Sequence, residues 1–447
     1  MNVAAIVAEY NPFHNGHAYQ IAETRRQTGA DYLLVIMSGD FVQRGEPALL
    51  NKYVRARMAL QNGADLVLEL PAAYACASAE TFAAGAVTTL HRLGVVDTLS
   101  YGSEYPQEEL FSQLAGLYLH EPADFSQILR RRLKEGYTYP QARAAATDVW
   151  LAQAGQPACP PGLLSSPNSI LAIEYHKALL SLDCGIRPLA IRRRGGYHDT
   201  SLPQTAASRT ENPLPGNRLA EQNEFASASA IRRLLLEKDV KADKAAARLL
   251  SAHVPADVLE ILCTNGRFMT AGDFSAALGF ALLDTPPERF CEYADINGDL
   301  GDRMARFLLQ YQGWQAFTDL IKTRQMTRSR ISRAFLHLLL RIRQEQLRQW
   351  AAQGYAYYAR VLGFRRQAAP LLTAVKKKSS VLLLTKMAAA KRNLDSWYQN
   401  EPSRQTYARQ LLETDLRAAA LYETMAAVRW GGIPEHEYRH GLILVDG

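Results

Sequence analysis

The sequence predicts an α/β protein with an N-terminal doubly wound parallel sheet, followed by a mainly α-helical C-terminal region. Over the first half of the chain, short runs rich in Val, Ile and Leu alternate with helical patterns, as in parallel strands joined by helices. Helical patterning dominates from residue 241 onward. The composition, with 48% hydrophobic and 21% charged residues, is that of a globular protein.

The first strand, loop and helix carry the strongest functional signal. Residues 3–8 are an apolar run suited to a buried strand, and residues 17–27 have apolar side chains at helical spacing. A helix N-terminus after such a strand binds anions through its free N–H groups and its dipole. The sequence HNGH places His14 and His17 there, where two imidazoles can face one phosphate, and Gly16 lets a nucleotide approach the backbone. The alternative is that both histidines cap the helix or lie on the surface.

Further strands and helices alternate along the first half of the chain. Strands are predicted over residues 31–37, 65–70, 98–101 and 186–191, and helices over residues 51–62 and 78–93. The polar loop of residues 38–52 follows the second strand, at the edge where open α/β sheets bind ligands. Residues 106–160 are expected to be a helical insertion. Residues 200–224, rich in Pro, Asn, Ser and Thr, are expected to be a flexible loop.

A second helix start has similar chemistry. In FASASAIRRLLLE, Ser227 and Ser229 precede Arg232, so hydroxyl groups and a guanidinium can face a polyphosphate at a helix N-terminus. The alternative is an N-capping motif with a surface arginine. The order of the two signals, on either side of the alternating strands, favours one nucleotide site. We therefore expect a nucleotide-binding domain over residues 1–240 and a second domain over residues 241–447.

Positive charge is concentrated in the C-terminal half. The net charge is +7, but residues 322–392 hold seventeen Lys and Arg and one acid, Glu345, leaving 34 basic and 43 acidic residues elsewhere. Such a segment attracts a polyanion, usually nucleic acid; the alternative is a solvated helix face. Three tyrosines within it are suited to stacking on unpaired bases: Tyr355, Tyr357 and Tyr358. The residues predicted to bind RNA are Arg328, Arg330, Arg333, Arg341, Lys376, Lys377 and Lys378.

Cysteine spacing and hydropathy indicate a cytoplasmic chain. The five cysteines lack any CxxC spacing, so we expect reduced thiols and neither disulfides nor a zinc site. No charged segment with an apolar core precedes the first strand, which predicts no leader peptide. No apolar run is long enough to cross a membrane. The sequence indicates no metal ligands and leaves protein partners open.

Eight stretches, in order over most of the chain, carry a family resemblance. They are AIVAEYNPFHNGH, SGDFVQRGEPALLNKYVRARMAL, GADLVLELP, YGSE, SPNSILAIEY, GGYHD, SASAIR and TRSRISRAFLHLLL. Together they resemble the bacterial tRNA(Met) cytidine acetate ligases, members of the HxGH-type (HUP) nucleotidyltransferase superfamily. SASAIR departs from the superfamily pattern ISSTxIR by placing Ala where Ser and Thr are usual. Residues 200–224 and the final residues are less similar.

The resemblance implies a two-step reaction. ATP and acetate would form acetyl-adenylate and pyrophosphate. N4 of the wobble cytidine of elongator tRNA(Met) would then attack the acetyl carbon, giving N4-acetylcytidine and AMP. The catalytic residues implied are His14 and His17, which would hold the α- and β-phosphates. Lys52 and Arg232, with Ser229 and Mg²⁺, would neutralise the leaving pyrophosphate.

The resemblance also implies an ATP-binding set. Gly102 has no side chain, so the base or ribose would lie directly against its backbone. Arg192 and Arg193 are both candidates for one contact, because three consecutive arginines leave the alignment open. The full set is Val7, Ala8, Glu9, Tyr10, Asn11, Pro12, Phe13, His14, Asn15, Gly16, His17, Ala18, Tyr19, Gln20, Gly102, Asn168, Arg192, Arg193 and Ser229.

A zinc-protease pattern and two other functions are alternatives to this interpretation. HEYRH, from His436 to His440, spells HExxH, but Pro434 and Gly441 leave too short a helix, so we interpret it as a chance match. A small-molecule adenylyltransferase would explain HNGH and SASAIR, but not the basic C-terminal half. A non-catalytic RNA-binding module is disfavoured by the complete HNGH motif and by Arg232.

Overall fold

The structure is a computed structural model of the 447-residue chain and describes residues 1–194 and 225–446. Within these residues, eight strands form one mixed sheet and two form a short hairpin. The predicted flexible loop, residues 200–224, and the GGYHD stretch lie outside the described residues. The strands are β1 (Val3–Ala8), β2 (Tyr32–Ser38), β3 (Phe41–Val42), β4 (Glu46–Pro47), β5 (Leu66–Leu70), β6 (Thr98–Ser103), β7 (Arg187–Arg192), β8 (Tyr358–Arg365), β9 (Leu382–Leu384) and β10 (Ile443–Val445).

Helices surround the sheet and make up most of the C-terminal half. In the first half they are α1 (Asn15–Thr28), α2 (Lys52–Gln61), α3 (Ala72–Ala75), α4 (Ala79–Arg92), α5 (Glu108–His120), α6 (Ala123–Lys134), α7 (Tyr139–Gln153) and α8 (Pro167–Leu182). In the second half they are α9 (Ala228–Glu237), α10 (Lys244–Ser251), α11 (Ala256–Asn265), α12 (Ser275–Asp284), α13 (Gly298–Phe307), α14 (Trp314–Ile321), α15 (Arg328–Leu340), α16 (Gln344–Ala352), α17 (Ala369–Lys378), α18 (Ala390–Trp397) and α19 (Pro402–Trp430). Short 3₁₀ helices occur at Leu163–Ser165, Ala271–Phe274, Pro287–Glu292, Leu308–Gln310, Arg366–Ala368 and Met387–Ala389.

The sheet has the strand order β10-β8-β5-β2-β1-β6-β7, and β9 also pairs with β8. β1 pairs in parallel with both β2 and β6, so the chain order reverses at β1. Open α/β sheets bind ligands at the carboxyl ends of the strands beside such a reversal. Ala8 lies opposite Met37, and Ser103 opposite Arg192, which brings the polar loops after these strands to one edge.

The core lies on both faces of the sheet. Alternate residues of a strand point to opposite faces, so Val3 and Ala5 pack in one apolar cluster, whereas Ala4 and Ile6 pack in the other. All four are fully buried. A strand buried on both faces has no polar alternation, which explains why these strands are short continuous apolar runs in the sequence.

The predicted fold class is confirmed, and most predicted elements of the first half match the structure to within a few residues. The insertion forms the three helices α5, α6 and α7, as expected. The sequence missed the strands that follow residue 240. β8 enters the sheet beside β5 and antiparallel to it, and β10 and β9 pair with β8. The C-terminal half therefore supplies one edge of the N-terminal sheet, and the division at residue 240 stays a prediction.

None of the helices within residues 1–194 and 225–446 is both long enough and apolar enough to cross a bilayer.

Candidate functional site

A cavity of about 340 Å³ opens at the carboxyl ends of β1 and β6. This is the edge of the sheet at which the chain order reverses. Many of the residues predicted for the nucleotide site line it. They are Val7, Ala8, Glu9, Tyr10, Asn11, His14, His17, Gln20, Gly102, Asn168, Arg193, Ser229 and Arg232.

The two histidines are fixed by the start of α1. His14 is the N-cap residue, and its Nδ1 accepts a hydrogen bond from the Gly16 N–H at 3.0 Å. Nδ1 of His17 accepts from the backbone N–H of His14 at 3.3 Å. The rings are stacked with centroids 3.7 Å apart. Because each Nδ1 accepts a backbone hydrogen, each neutral ring carries its proton on Nε2, which makes Nε2–H the donor for a ligand.

Burial keeps both histidines neutral. Burial, with the nearby positive charges of Arg193 and Arg232 and the ring of His253, lowers the pKa of His14 to about 3. Burial and the neighbouring His14 and Arg193 hold the pKa of His17 well below its usual value. Both side chains are therefore uncharged at neutral pH. The capping alternative is also correct as a description of the local geometry, since the capping hydrogen bonds orient the two rings.

The N-terminus of α9 forms a second wall of the cavity. Ser227 caps this helix by accepting from the Ala230 N–H at 3.0 Å. Arg232 donates to the backbone oxygen of Asn11 at 2.7 Å and to Oγ of Ser229 at 3.0 Å. Those bonds hold the guanidinium against the loop that precedes His14. Two helix N-termini and an arginine thus converge on one cavity, as the order of the two sequence signals predicted.

The opposite wall is built where β6 and β7 end. A Cβ added to Gly102 would lie 3.2 Å from Cγ of Arg193, so the arginine stem crosses the bare backbone of this glycine. Nε of Arg193 lies 3.4 Å from Oε1 of Glu104. The same carboxylate accepts from the side chains of Asn168 at 2.6 Å and Ser166 at 2.7 Å. Of the two candidate arginines, Arg193 lines the cavity, whereas Arg192 is the exposed last residue of β7 and does not line it.

A third wall comes from the hairpin of β3 and β4, for which the sequence named no individual residues. Gln43, Arg44 and Glu46 line the cavity there. The position of loop 38–52 after β2 was the available signal, but it does not say which side chains turn inward. Ser227, which the second helix start pointed to, also lines the cavity. Sequence reasoning missed the remaining lining residues, most of them apolar: Val42, Ala79, Phe82, Tyr101, Pro167, Ile170, Leu171, Tyr175 and Ala228.

Lys52 is not in the cavity, contrary to its predicted catalytic role. Its side chain is 1% exposed, and Nζ lies 2.9 Å from Oε1 of Glu69 and 2.7 Å from Oε1 of Glu437. Arg360 also pairs with both of these glutamates. The carboxylates raise the pKa of Lys52 despite its burial, so the charge is permanently compensated inside the protein. Local sequence could not reveal this burial, because Glu437 and Arg360, which complete the ion-pair network, lie more than 300 positions away.

Glu437 is also the glutamate of the HExxH pattern, and its surroundings are not those of a zinc protease. Its carboxylate is directed at Lys52 and accepts from the Tyr53 hydroxyl at 2.9 Å, and residues 431–442 contain no helix. The described residues contain no group of three or more His, Cys, Asp and Glu side chains placed to hold a metal. A zinc protease needs its HExxH residues on a helix, and this segment has none.

Part of the predicted segment 7–20 also lies away from the cavity. The residues that do not line it are Pro12, Phe13, Asn15, Gly16, Ala18 and Tyr19. Asn15 instead anchors α1, because its backbone N–H donates to the carbonyl of His253 at 3.0 Å. At Gly16 a Cβ would lie 2.9 Å from Cε1 of His14. Glycine at this position therefore leaves room for the ring of His14.

Several residues predicted to bind RNA are engaged within the protein. Arg333 is 12% exposed on its side chain and pairs with Asp295 at 2.8 Å, and Arg330 donates to the carbonyl of Asp295. Arg328 is half-exposed and pairs with Asp319. Acidic residues outside the basic segment thus neutralise part of its charge, which a count over residues 322–392 cannot reveal.

The other predicted RNA contacts divide into exposed and buried groups. Arg341 and the three lysines Lys376, Lys377 and Lys378 are exposed. Tyr357 and Tyr358 are core residues at 0% and 2% exposure, and Tyr358 donates to Asp415 at 2.6 Å. The expectation that they stack on bases is therefore wrong: they belong to β8 and its approach, which the sequence did not predict.

The chain is similar to known proteins over most of its length. The family model described as HIGH Nucleotidyl Transferase matches residues 1–430. The tRNA(Met) cytidine acetate ligase of Acetivibrio thermocellus is 33% identical over 389 residues, covering 87% of this chain and 89% of the relative. The enzyme of the same name from Caldanaerobacter subterraneus subsp. tengcongensis is 34% identical over 427 residues, covering 94% and 96%. The crystal structure of Thermotoga maritima TmcAL bound with alpha-thio ATP is similar with a TM-score of 0.86 and 27% identity, over 100% of both chains.

Proposed function

The chain belongs to the tRNA(Met) cytidine acetate ligase family of the HIGH nucleotidyl transferases, and we propose that it is an ATP-dependent ligase that acetylates tRNA. Acetate is activated as acetyl-adenylate, and the acetyl group passes to N4 of the wobble cytidine of elongator tRNA(Met). The observation that carries the adenylation step is the pair of stacked neutral histidines, His14 and His17, in a cavity shared with Arg193 and Arg232. The identity of donor and acceptor rests on the names of the relatives.

The first step needs positioning and charge stabilisation more than covalent catalysis. A carboxylate oxygen of acetate attacks the α-phosphorus of ATP, and the bond to the β-phosphate oxygen breaks, releasing pyrophosphate. Nε2–H groups of His14 and His17 donate to the phosphate that gains charge in the transition state. Arg232 is held by Asn11 and Ser229 beside this point and neutralises the leaving pyrophosphate. Arg193, across the cavity over Gly102, orients the nucleotide.

Mg²⁺ is expected to arrive with ATP. The described part of the chain has no group of three or more His, Cys, Asp and Glu side chains placed to hold a metal. A Mg²⁺ ion held mainly by phosphates and water would suit such a site, because this ion commonly takes only one or two protein ligands. We place the enzyme in the cytoplasm, where its tRNA and ATP are found.

The second step requires tRNA to reach the cavity from the side of the C-terminal half. α15 packs its backbone against the tip of the β3–β4 hairpin: a Cβ added to Gly45 would lie 2.2 Å from the Arg333 nitrogen. The inner side of that hairpin lines the cavity. The exposed basic residues beyond it, including Arg328 and Arg341, are suited to tRNA phosphates.

The test is acetate-dependent exchange of pyrophosphate into ATP, followed by mass analysis of nucleosides from tRNA incubated with the protein, ATP and isotopic acetate. Exchange is expected only with acetate, and labelled N4-acetylcytidine only when elongator tRNA(Met) is supplied. Exchange that ignores acetate but requires a phosphorylated metabolite would instead indicate a small-molecule adenylyltransferase. Binding of tRNA with no exchange at all would indicate a non-catalytic RNA-binding module.

A further inference from the structure

Glu9 is a carboxylate in a cavity whose other features favour anions. It follows β1 directly and lines the cavity, where Glu46 is the other carboxylate among the described lining residues. A carboxylate repels the negative charge of a polyphosphate, so direct phosphate contact does not account for Glu9 in this cavity. Its Oε1 accepts from the backbone N–H of Gln43 at 2.7 Å, which fixes the carboxylate beside the hairpin.

Charged and titratable groups surround Glu9 on several sides. The positive charges of Arg232 on α9, Arg44 in the hairpin and Arg55 on α2 are near enough to act on the carboxylate of Glu9. The Arg55 guanidinium also donates to the Glu9 backbone oxygen at 2.6 Å. Tyr175 of α8 is close enough for the charge of Glu9 to affect it. Three of these four residues, Arg44, Arg232 and Tyr175, line the cavity themselves. The carboxylate is therefore held at the cavity and not behind its wall.

Glu9 lines the same cavity as the two histidines and is bonded to the β3–β4 hairpin. Arg232 is near enough to both His14 and Glu9 to lower the pKa of each, so one arginine lies close to both groups. On its other flank Glu9 is bonded to Gln43, in the hairpin whose tip at Gly45 packs on α15. An acceptor base that enters along the hairpin would meet Glu9 next to the acetyl group.

We propose that Glu9 is the general base of the acetyl-transfer step. This assignment rests on the proposed function. The lone pair of cytidine N4 attacks the acetyl carbon of acetyl-adenylate, and the bond from that carbon to the phosphate oxygen breaks, releasing AMP. N4 loses one of its two protons to the carboxylate of Glu9, which passes the proton to solvent afterwards. Without such a base, the amide would form as a protonated, unstable adduct.

The environment of Glu9 suits this task. Burial raises the pKa of Glu9 above its usual value, against the lowering effects of the Gln43 hydrogen bond and of Arg232, Arg44 and Arg55. A base with a pKa closer to neutrality accepts a proton more effectively at physiological pH. The transfer rate should therefore rise with pH through the pKa of Glu9, as the carboxylate becomes available.

The test separates the two half-reactions in the Glu9→Gln variant. Glutamine keeps the hydrogen bond from Gln43 but cannot accept the proton. Single-turnover transfer from enzyme-bound acetyl-adenylate to tRNA(Met) should fall by about 100-fold or more and lose its rise with pH. Acetate-dependent pyrophosphate exchange should fall by no more than a few-fold. Equal losses in both reactions would assign Glu9 to ATP or Mg²⁺ binding and overturn the proposal, as would wild-type transfer rates in the variant.

The Glu46→Gln variant is the matched control, because it removes the other carboxylate among the described lining residues. It is not expected to separate the half-reactions, and a separation equal to that of Glu9→Gln would overturn the assignment. The wild-type protein distinguishes failure of the role of Glu9 from failure of the proposed function. Wild-type exchange and transfer with an unaffected Glu9→Gln variant would refute only the role of Glu9. Absence of any wild-type transfer to tRNA(Met) would refute the proposed function itself.

Discussion

Each of the two cavity histidines uses Nδ1 to accept a backbone N–H, and this local bond decides its chemistry. His14 bonds to Gly16, and His17 bonds to His14. The proton on each neutral ring is therefore carried by Nε2, which can donate to an oxygen of the substrate without an energetic cost of ionisation. Burial of a neutral ring makes stability depend on pH, because at low pH the histidine binds a proton in the unfolded chain but not in the folded one.

The first prediction concerns His14→Asn as a function of pH. Asparagine keeps the N-cap acceptor for Gly16 but does not titrate. Folding lowers the pKa of His14 from about 6.5 to about 3, so the folded state binds fewer protons than the unfolded state between these two pH values. Wild-type stability should therefore fall relative to the variant by roughly 1.4 kcal/mol per pH unit as the pH drops below 6.5. Urea unfolding at several pH values measures this difference, and parallel stability curves for the two proteins would contradict it.

The second prediction concerns Lys52→Met. Removing this cation leaves Glu69 and Glu437 with less compensation in a buried site, which should destabilise the protein by about 3–5 kcal/mol. Lys391→Met is the control, since its pair with Glu413 is half-exposed and should contribute at most about 1 kcal/mol. Urea unfolding and ATP binding are the measurements. A variant of normal stability that has lost ATP affinity would restore the catalytic role predicted from the sequence.

At the scale of elements, the β3–β4 hairpin joins the cavity to the C-terminal half. Its residues Gln43, Arg44 and Glu46 line the cavity, while Gly45 at its tip packs against the backbone of α15. Gly45 has φ of 79°, in the left-handed region, and its N–H donates to the carbonyl of Val42 at 2.9 Å. A side chain at this tip would have to displace either the hairpin or the helix, because the atoms it meets are backbone atoms.

The third prediction compares Gly45→Ala with Gly136→Ala. Both glycines have positive φ, at 79° and 86°, so both variants carry similar backbone strain. A Cβ meets nothing within 4 Å at Gly136 but would lie 2.2 Å from the Arg333 nitrogen at Gly45. Gly45→Ala should therefore lower the melting temperature further and slow acetyl transfer to tRNA more than pyrophosphate exchange. Thermal unfolding and the two assays measure this, and equal effects of the two variants would show that the contact with α15 is unimportant.

At the scale of the whole molecule, the length of α4 separates the adenylation site from one group of exposed lysines. Lys376, Lys377 and Lys378 lie in the last turn of α17. The end of α17 packs beside Gly94, just after α4, whereas Ala79 and Phe82 at the start of α4 line the cavity. The 14 residues of α4 put about 20 Å between the two ends. Any tRNA that contacts both must span the length of this helix.

The fourth prediction concerns the combined change of Lys376, Lys377 and Lys378 to Ala. It should weaken tRNA binding and reduce the magnitude of the slope of log K against log salt by about 2, because up to three phosphate contacts are lost. Acetate-dependent exchange without tRNA serves as the check on folding. The control changes three exposed lysines outside the basic segment to Ala: Lys238, Lys241 and Lys244. If both triple variants reduce affinity and salt slope equally, the lysines of α17 are not part of the tRNA site.

Most of the first half of the fold could be predicted from local signals. A strand buried on both faces appears as an apolar run, and a capped helix start depends on residues within three or four positions. The strand β8 was missed because Arg360 and Gly363 interrupt its apolar pattern. Arg360 is buried only because Glu69 and Glu437 compensate its charge, and a Cβ at Gly363 would lie 2.5 Å from the Ile443 oxygen.

The sequence by itself determined that a strand, the HNGH loop and two helix N-termini meet in one nucleotide site, since each of these features is encoded by neighbouring residues. Only the tertiary structure decided which charges face that site. Lys52 is withdrawn from it by Glu437, which lies 385 positions later, and Arg193 enters it where Arg192 is exposed. The physical reason is that a charge takes its role from the groups packed around it, and those groups come from distant parts of the chain.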